Sequence, residues 1–339
     1  MKTPIRGATR LIPFALVLLS SLASPVIASA QPIPWERWQH LEGVVDVGSP
    51  RSDGKLVVMA AGYLFLVSPV GSIEPFARGS DGFAGPADAE PYFVVAPVLP
   101  LAPDCIFRVD DVFILDVGYP SGVIRVDGAG RASHFATVQD VDSLYGIAFD
   151  TTGGFGYKLL VTGQHSGITT VAAVDCRGRV TIVTDSAPVV EGGVAVAPPG
   201  FGSFGGYLIA PDELSGLLWA IGPDGAASTV AVPDLPTGRD TGVESMGFVP
   251  PGFVSGRGFA YLADRGTPGN SFPGTDSLLR LPAAALAVAG VQDGDLLVAT
   301  EGGGLTVAIH CDSICTSTQV AAGPSIGHIE GHIVFVPDR

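Results

Sequence analysis

One motif recurs along the chain at a nearly constant period and constrains the fold more than any other feature of the sequence. The motif is Glu-x-x-φ-x-φ, where φ is apolar or Gly, and it is often followed by Pro. Its copies begin at Glu42, Glu90, Glu191, Glu244 and Glu330, and a degenerate copy without the acid begins at Leu144. Successive starts lie 47 to 54 residues apart, except for a final gap of 86 residues that must hold most of an extra unit. Such a repeat indicates a fold built from similar units of a few elements each.

Each repeat contains several short strands. Apolar runs of five to eight residues alternate with Gly and Pro, of which the chain has 46 and 28, and this pattern is typical of strands. The clearest predicted strands lie at residues 55–60, 111–116, 158–162, 207–210, 259–263 and 295–300. Residues 282–289 are rich in Ala and predict one short helix.

A second motif recurs at a similar position after successive copies of the first motif. Asp116, His165 and Asp212 each follow a predicted strand, and each precedes by two to six residues a Gly that opens another strand. The Pro223-Asp224-Gly225 sequence is a strong hairpin signal. Four antiparallel strands per unit of about fifty residues predict an all-β fold, a six-bladed β-propeller of four-stranded antiparallel blades. We expect the two chain ends to meet in one blade, because this removes a free sheet edge.

The Glu-Gly pairs at residues 42–43, 191–192 and 330–331, together with Asp212, Gly216 and the 223–225 turn, resemble the superfamily of six-bladed propellers. That superfamily includes NHL repeat, SMP-30/gluconolactonase and strictosidine-synthase-like proteins, and the resemblance covers nearly the whole chain after residue 30. It implies a central channel, in which SMP-30-like enzymes hold a divalent cation, usually calcium, with Glu, Asn and Asp ligands. The only Asn of this chain is Asn270, in a predicted loop.

Residues 1–30 have the pattern of a secretory signal. Three basic residues precede an apolar run at residues 11–28, and Ala28-Ser29-Ala30 forms a small-residue cleavage pattern. We therefore expect a signal peptide at residues 1–30, a single propeller domain at residues 31–339, and a secreted or periplasmic protein. No later apolar run is long enough to span a membrane, so no membrane insertion is expected after cleavage.

Charge and motif context exclude several partners. The chain has 18 basic and 33 acidic residues, and cleavage of residues 1–30 removes three of the basic ones, which leaves a net charge of −18. This charge disfavours binding to nucleic acid and to anionic membrane surfaces. A small molecule, a glycan or an extracellular protein is the expected partner. Residues 200–205 match the Gly-x-Gly-x-x-Gly dinucleotide pattern but precede a strand instead of opening a helix, so they predict a hairpin loop and no nucleotide cofactor.

The four cysteines of an exported chain are expected to form disulfides. The short loop between Cys311 and Cys315 favours a local bridge, which leaves Cys105 to pair with Cys176. Free or metal-bound thiols are the alternative.

The repeated glutamates are the first candidate metal ligands. Equivalent residues of successive blades form a ring around the channel, so Glu42, Glu90, Glu191, Glu244 and Glu330 are expected to converge at one mouth. Carboxylates at close range must take up protons, bind a cation, or pair with Arg and backbone donors. Calcium is the first candidate ion, and pairing with arginines and amides is the alternative. Asp116, His165, Asp212, Asp264 and Glu301 end second strands and are expected near the same mouth.

The sequence His328-Ile-Glu330-Gly-His332 is a second metal-ligand candidate. Period-2 alternation places His328, Glu330 and His332 on one face of a strand, and imidazole with carboxylate suits zinc, the alternative to calcium. One ion cannot touch all three residues unless the strand bends, because they span about 13 Å in an extended strand. The alternative is a His satisfied by a backbone carbonyl.

Two functions remain. One is a non-catalytic propeller that binds a ligand or partner at the channel mouth, with any divalent cation structural. The other is a metal-dependent hydrolase of the SMP-30/gluconolactonase type, lactonase- or esterase-like. The absence of an Asn on an inner strand favours the binding protein.

Overall fold

A computed structural model describes Met1 and residues 32–87, 89–100, 105–230 and 235–338. The predicted signal peptide lies outside the described residues, apart from Met1. The first fourteen strands are β1 (Ile33–Pro34), β2 (Glu36–His40), β3 (Val44–Pro50), β4 (Leu56–Ala60), β5 (Tyr63–Val67), β6 (Ile73–Phe76), β7 (Phe93–Val95), β8 (Val112–Asp116), β9 (Gly122–Val126), β10 (Ala132–Thr137), β11 (Ser143–Phe149), β12 (Leu159–His165), β13 (Ile168–Val174) and β14 (Val180–Ala187). The later strands are β15 (Ala195–Val196), β16 (Leu208–Asp212), β17 (Leu217–Ile221), β18 (Ala227–Thr229), β19 (Val243–Phe248), β20 (Gly258–Asp264), β21 (Ser277–Pro282), β22 (Leu296–Thr300), β23 (Thr306–Cys311), β24 (Cys315–Ala322) and β25 (Ile329–Pro337).

Four separate four-stranded sheets follow one another along the chain. They comprise β3 to β6, β7 to β10, β11 to β14, and β15 to β18, and within each sheet every strand pairs antiparallel with the next. Four of the six clearest predicted strands form the second strands of these sheets, β4, β8, β12 and β16, and the other two form β20 and β22. The chain is therefore an all-β propeller of four-stranded antiparallel blades.

The remaining strands form one nine-stranded sheet, so the structure has four separate blades where six were predicted. Its order is β1-β24-β23-β22-β19-β25-β20-β21-β2. A single parallel pair, Met246 with His332, joins β19 to β25 at its centre. Strands β20 and β21 are inserted in the chain between β19 and its partner β22, which accounts for the long final gap between motif copies. The N-terminal strand β2 and the C-terminal strand β25 lie in this same sheet.

Burial decreases from the second strand of each sheet to the fourth. Strand β4 is buried at every residue, whereas three of the four residues of β6 are exposed. The second strand has neighbours on both faces, and continuous runs such as Leu-Val-Val-Met-Ala fit a strand without a solvent face. The fourth strands carry the polar outer rim of the propeller.

The apolar core is divided among the spaces between neighbouring sheets. One cluster joins the first three sheets, a second joins the third to the fourth, and a third joins the fourth to β19, β22 and β23. A fourth cluster packs one group of strands, β22 to β24, against a second group, β20, β21 and β25. The fifth cluster joins this second group to the first sheet. The first strands also adjoin one another in the order β3, β7, β11, β15, β19 and β25, and β25 adjoins β3.

The other local predictions agree with the structure. The predicted helix forms as α1 (Ala283–Val288). Residues 200–205 lie in the hairpin connection between β15 and β16, with one short 3₁₀ turn at Gly202–Phe204. Both predicted disulfides are confirmed, Cys105 with Cys176 and Cys311 with Cys315. The two disulfides fit an extracytoplasmic location. In the part of the chain that the structure describes, no helix is long and apolar enough to cross a membrane.

Candidate functional site

A polar cavity of about 450 Å³ opens where the first strands begin and the second strands end. We call it the acidic mouth, because four of the five repeated glutamates line it together with two acids that follow second strands, Glu90, Glu191, Glu244, Glu330, Glu213 and Glu301. Antiparallel pairing brings the start of a first strand next to the end of a second strand, so both sets of acids reach the same end of the channel.

At the centre of the acidic mouth, His328 lies between two glutamates. Its Nε2 atom is 2.9 Å from Oε1 of Glu301 and 3.2 Å from Oε1 of Glu330. All three residues are buried, and one ligand atom from each lies within 4.8 Å of the others. The backbone holds the arrangement, since Ile329 donates its N–H to the Glu301 carbonyl and His328 donates its N–H to the Asp264 carboxylate.

These contacts keep His328 charged. Burial lowers the pKa of His328, but its hydrogen bonds to Glu301 and Glu330 and their charges outweigh that effect and raise the pKa to about 10. The Nδ1 atom of the same ring is buried and has no hydrogen-bond partner among the described residues.

Tyr92 joins two further glutamates. Its hydroxyl oxygen is 2.5 Å from Oε1 of Glu244 and 2.5 Å from Oε2 of Glu330. One hydroxyl proton cannot serve both contacts, so one carboxyl group must itself carry a proton. Burial, and the charge of Glu330, raise the pKa of Glu244 well above its usual range, which assigns that proton to Glu244.

Glu90 lies at the edge of the acidic mouth and pairs with Arg265. The Arg265 guanidinium is also 3.7 Å from Glu330. Arg265 directly follows the end of β20, and its guanidinium contacts these two glutamates of the acidic mouth. Asp264 is buried and accepts hydrogen bonds from Thr275 and from the His328 backbone.

Two glutamates on the other side of the mouth have raised pKa values. Burial, the hydrogen bond with Glu301 and the charges of Glu301 and Glu191 raise the pKa of Glu213 to about 8. Burial also raises the pKa of Glu191, against the opposing charge of Arg239. The negative charge of the acidic mouth is therefore reduced in two ways, by cationic side chains within the protein and by protonation of some of the glutamates.

His332 is not part of the acidic mouth. The expectation that it shares a face with His328 and Glu330 is wrong, because β25 bulges between Glu330 and Val334 and Gly331 has a φ of +71°. The His332 ring instead contacts Asp46 at 3.0 Å and the Ile147 carbonyl at 2.9 Å, and it borders an apolar cavity of about 340 Å³ at the other end of the channel. This agrees with the alternative of a His satisfied by a backbone carbonyl.

The Gly that follows Glu in the motif has a steric role. A Cβ atom on Gly192 would lie 2.7 Å from the carboxyl group of Glu244, and one on Gly331 would lie 2.2 Å from Oδ1 of Asp46. Both glycines also have positive φ values. They allow the first strand to turn into the channel close to an acid of the neighbouring first strand.

Besides His332, four candidate residues lie away from the acidic mouth. Glu42 is exposed on the turn before β3. Asp116 and Asp212 accept hydrogen bonds within their own turns, from Gly118 and Ser215 respectively. His165 pairs with Asp142 at 3.1 Å on the exposed surface. The local turn after each second strand decides whether its polar residue points inward, and the sequence motif does not encode that direction.

The sequence pattern did not single out two residues of the channel, Tyr92 directly before β7 and Asp46 on β3, because neither carries a repeated signal. Glu213 occupies the place after β16 that Glu301 occupies after β22, and its direction depends on the turn after β16.

No protein-family model matches the chain, and no curated protein matches it. Solved structures of β-propeller proteins are similar at low identity. The nidogen/laminin complex is 10% identical, with 86% of this chain and 84% of that chain covered and a TM-score of 0.49. Virginiamycin B lyase from Staphylococcus aureus is 13% identical, with 84% and 89% covered and a TM-score of 0.46. A candidate gluconolactonase is 18% identical, with 68% and 71% covered and a TM-score of 0.38. Similarity at this level gives no information on what this chain binds or does.

Proposed function

We propose that this chain is an exported six-bladed propeller that binds a ligand at the acidic mouth, with a divalent cation held by Glu301, His328 and Glu330. The observation that carries the proposal is the convergence of these three buried side chains, with ligand atoms within 4.8 Å of one another.

The blade count follows from treating the nine-stranded sheet as two blades. Strands β19, β22, β23 and β24 form one antiparallel set, and β25, β20, β21 and β2 form another, joined by one parallel residue pair between β19 and β25 and by an isolated bridge between Gly302 and His328. An apolar cluster lies between the two sets, as it does between separate blades. The contact of β25 with β3 supports closure of the ring in the blade that contains both chain ends.

The donor set favours zinc or a similar transition metal over calcium. Ligands of a tetrahedral zinc ion lie about 3.4 Å apart, close to the 2.9 and 3.2 Å between His328 Nε2 and the two glutamates. Imidazole is a common zinc ligand, whereas calcium takes six to eight oxygens. Three protein ligands leave one position for water or a ligand atom.

Metal binding at this site must displace a proton. His328 carries one between Glu301 and Glu330, because its pKa is about 10. A cation that replaces this proton removes the charge from the imidazole and takes over the neutralisation of both carboxylates. The unpartnered Nδ1 atom of His328 offers a second ring position for hydrogen bonding to water or a ligand.

A metal-dependent hydrolase of lactones or esters is the second candidate. The protonated Glu244 is linked through Tyr92 to the proposed ligand Glu330, so an acid that can donate a proton adjoins the metal site. The cavity of about 450 Å³ has room for a small polar substrate. The binding function stands first, because this acid is buried and already hydrogen-bonded to Tyr92.

Metal content and thermal stability test the proposal. Protein purified from a periplasm without refolding should contain one zinc or similar ion per chain, and a chelator should lower its melting temperature. Glu330→Gln should abolish the stoichiometric metal, whereas Glu42→Gln, a repeated glutamate outside the mouth, should retain it. Metal-free parent protein that cannot be loaded with zinc, manganese or calcium would refute the site. Turnover of lactones or esters by the loaded parent would move the hydrolase to first place.

A further inference from the structure

The acids of the acidic mouth fall into two sets. Those of the first set have cationic or phenolic partners within the protein, and they are Glu90, Glu301, Glu330 and Glu244. The second set comprises Glu191, Glu213 and Asp240, which line the same cavity. In the part of the chain that the structure describes, no basic side chain forms an ion pair with any of these three.

Glu213 is the most deeply placed of the second set. Its exposure is only 6%, yet its Oε1 atom has no hydrogen-bond partner among the described residues. Its carboxyl group is fixed by the Asp240 backbone N–H and by Glu301. A buried carboxyl oxygen without a donor is costly, and the cavity is the place from which a donor can come.

Arg239, a cation in the lining of the cavity, does not supply this donor. Arg239 is exposed, and its charge acts on Glu191 from a distance greater than an ion pair. The second set therefore faces the cavity with three acids against the single charge of Arg239, and none of the three forms an ion pair among the described residues.

Apolar and aromatic side chains belong to the same lining, together with the polar Gln164, Thr267 and Asn270 and with Arg239. Val189, Leu214 and Tyr145 line the cavity beside the three acids. They offer no ligand atom for a bare ion beyond one phenol oxygen, but they can contact the methylene groups of an organic molecule. A cavity of about 450 Å³ is also far larger than the space of about 30 Å³ that one water occupies.

We infer that Glu191, Glu213 and Asp240 form an amine subsite, which binds the primary ammonium group of an organic ligand with its alkyl stem against Val189 and Leu214. An ammonium group has three donors and no acceptor, which matches three carboxyl groups around one space. The inference rests on the proposed role of the acidic mouth as a ligand site, and it names the chemical class of that ligand.

Binding of n-butylammonium to the chelator-treated mature protein tests the amine subsite. At pH 8.5 and low salt the ammonium is still charged, and calorimetry or NMR titration should show saturable binding. 1-Butanol, which has the same stem without the charge, should bind at least tenfold more weakly. Glu191→Gln should weaken butylammonium binding at least tenfold, whereas Glu42→Gln should leave it unchanged, with melting curves confirming that both variants fold.

Three results would overturn the amine subsite. They are no saturable binding of butylammonium, equal binding of butanol, and unchanged binding in Glu191→Gln. Calcium binding that Glu191→Gln abolishes, without butylammonium binding, would assign these acids to an inorganic ion instead. Because the titration uses metal-free protein, its failure is separate from failure of the metal site, which metal content measures.

Discussion

Asp46 and His332 form a buried pair that joins residues 286 positions apart in the chain. Nδ1 of the imidazole is 3.0 Å from Oδ2 of the carboxylate, and the same carboxylate accepts the backbone N–H of His332. Burial lowers the pKa of His332, but the charge and hydrogen bond of Asp46 and the Ile147 carbonyl outweigh it and raise the pKa. The pair spans from the first sheet to the last strand and lies between the two ends of the channel.

We expect His332→Ala to lower the free energy of unfolding by about 3 to 5 kcal/mol, because it leaves a buried carboxylate without its partner. Urea or guanidinium denaturation measures this change. The control is Glu74→Gln, which removes the exposed pair with Lys55 and should cost less than about 1 kcal/mol. Equal effects of the two substitutions would contradict a structural role for the buried pair.

Gly331→Ala should destabilise the fold by about 2 to 4 kcal/mol, the sum of a left-handed backbone and a steric clash. The added Cβ would lie 2.2 Å from Oδ1 of Asp46. Gly54→Ala is the matched control, because Gly54 also has a positive φ but open space around it, so only the backbone cost of about 1 kcal/mol applies. A Gly331→Ala protein as stable as the control would show that the strand can shift away from Asp46.

Glu213→Gln should flatten the pH dependence of stability. The pKa of Glu213 is about 8 in the folded protein against an ordinary value of 4.5, so between these values the folded state binds more protons than the unfolded state. Stability contributed by this group is complete below pH 4.5 and is lost as pH rises through about 8. The Gln side chain cannot ionise, so above pH 8 the variant should be more stable than the parent.

Urea denaturation at pH 5, 7 and 9 with chelator present measures this difference. Glu42→Gln provides the control for loss of one acid on the surface. Parallel pH profiles for parent and Glu213→Gln would show that Glu213 ionises normally in the fold.

Removal of residues 325–339 should abolish the cooperative melting of the full chain. The deletion removes β25, which pairs with both β19 and β20 at the centre of the nine-stranded sheet. The loss exposes the apolar faces of β3 and β20 that β25 covers. Calorimetry tests this expectation, and a truncated protein that melts cooperatively at the temperature of the full chain would contradict it.

The sequence predicted the strands better than their pairing. The six clear apolar runs all became strands, four of them the second strands of separate sheets, because their burial on both faces is a local property, readable from Val, Ile and Leu between Gly and Pro. The insertion of β20 and β21 between β19 and β22 could not be predicted, because β20 follows β19 directly in the chain and the pairing of β19 with the later β22 leaves no periodic signal.

The candidate site was predictable where the repeat fixes geometry. Glu90, Glu191, Glu244 and Glu330 meet because they occupy equivalent places at the starts of first strands. Glu42 does not join them, because the turn before β3 is fixed by a hydrogen bond from the Gly43 N–H to the Asp276 carboxylate. The separation of His332 from Glu330 depends on one bulge, which alternation along a strand cannot foresee.

The sheet that holds both β2 and β25 also governs when the chain can fold. Strand β21 pairs with the early strand β2, whereas β20 pairs with β25, which is synthesised after all the other strands of this sheet. Such distant pairing delays completion of the sheet until β25 has been made.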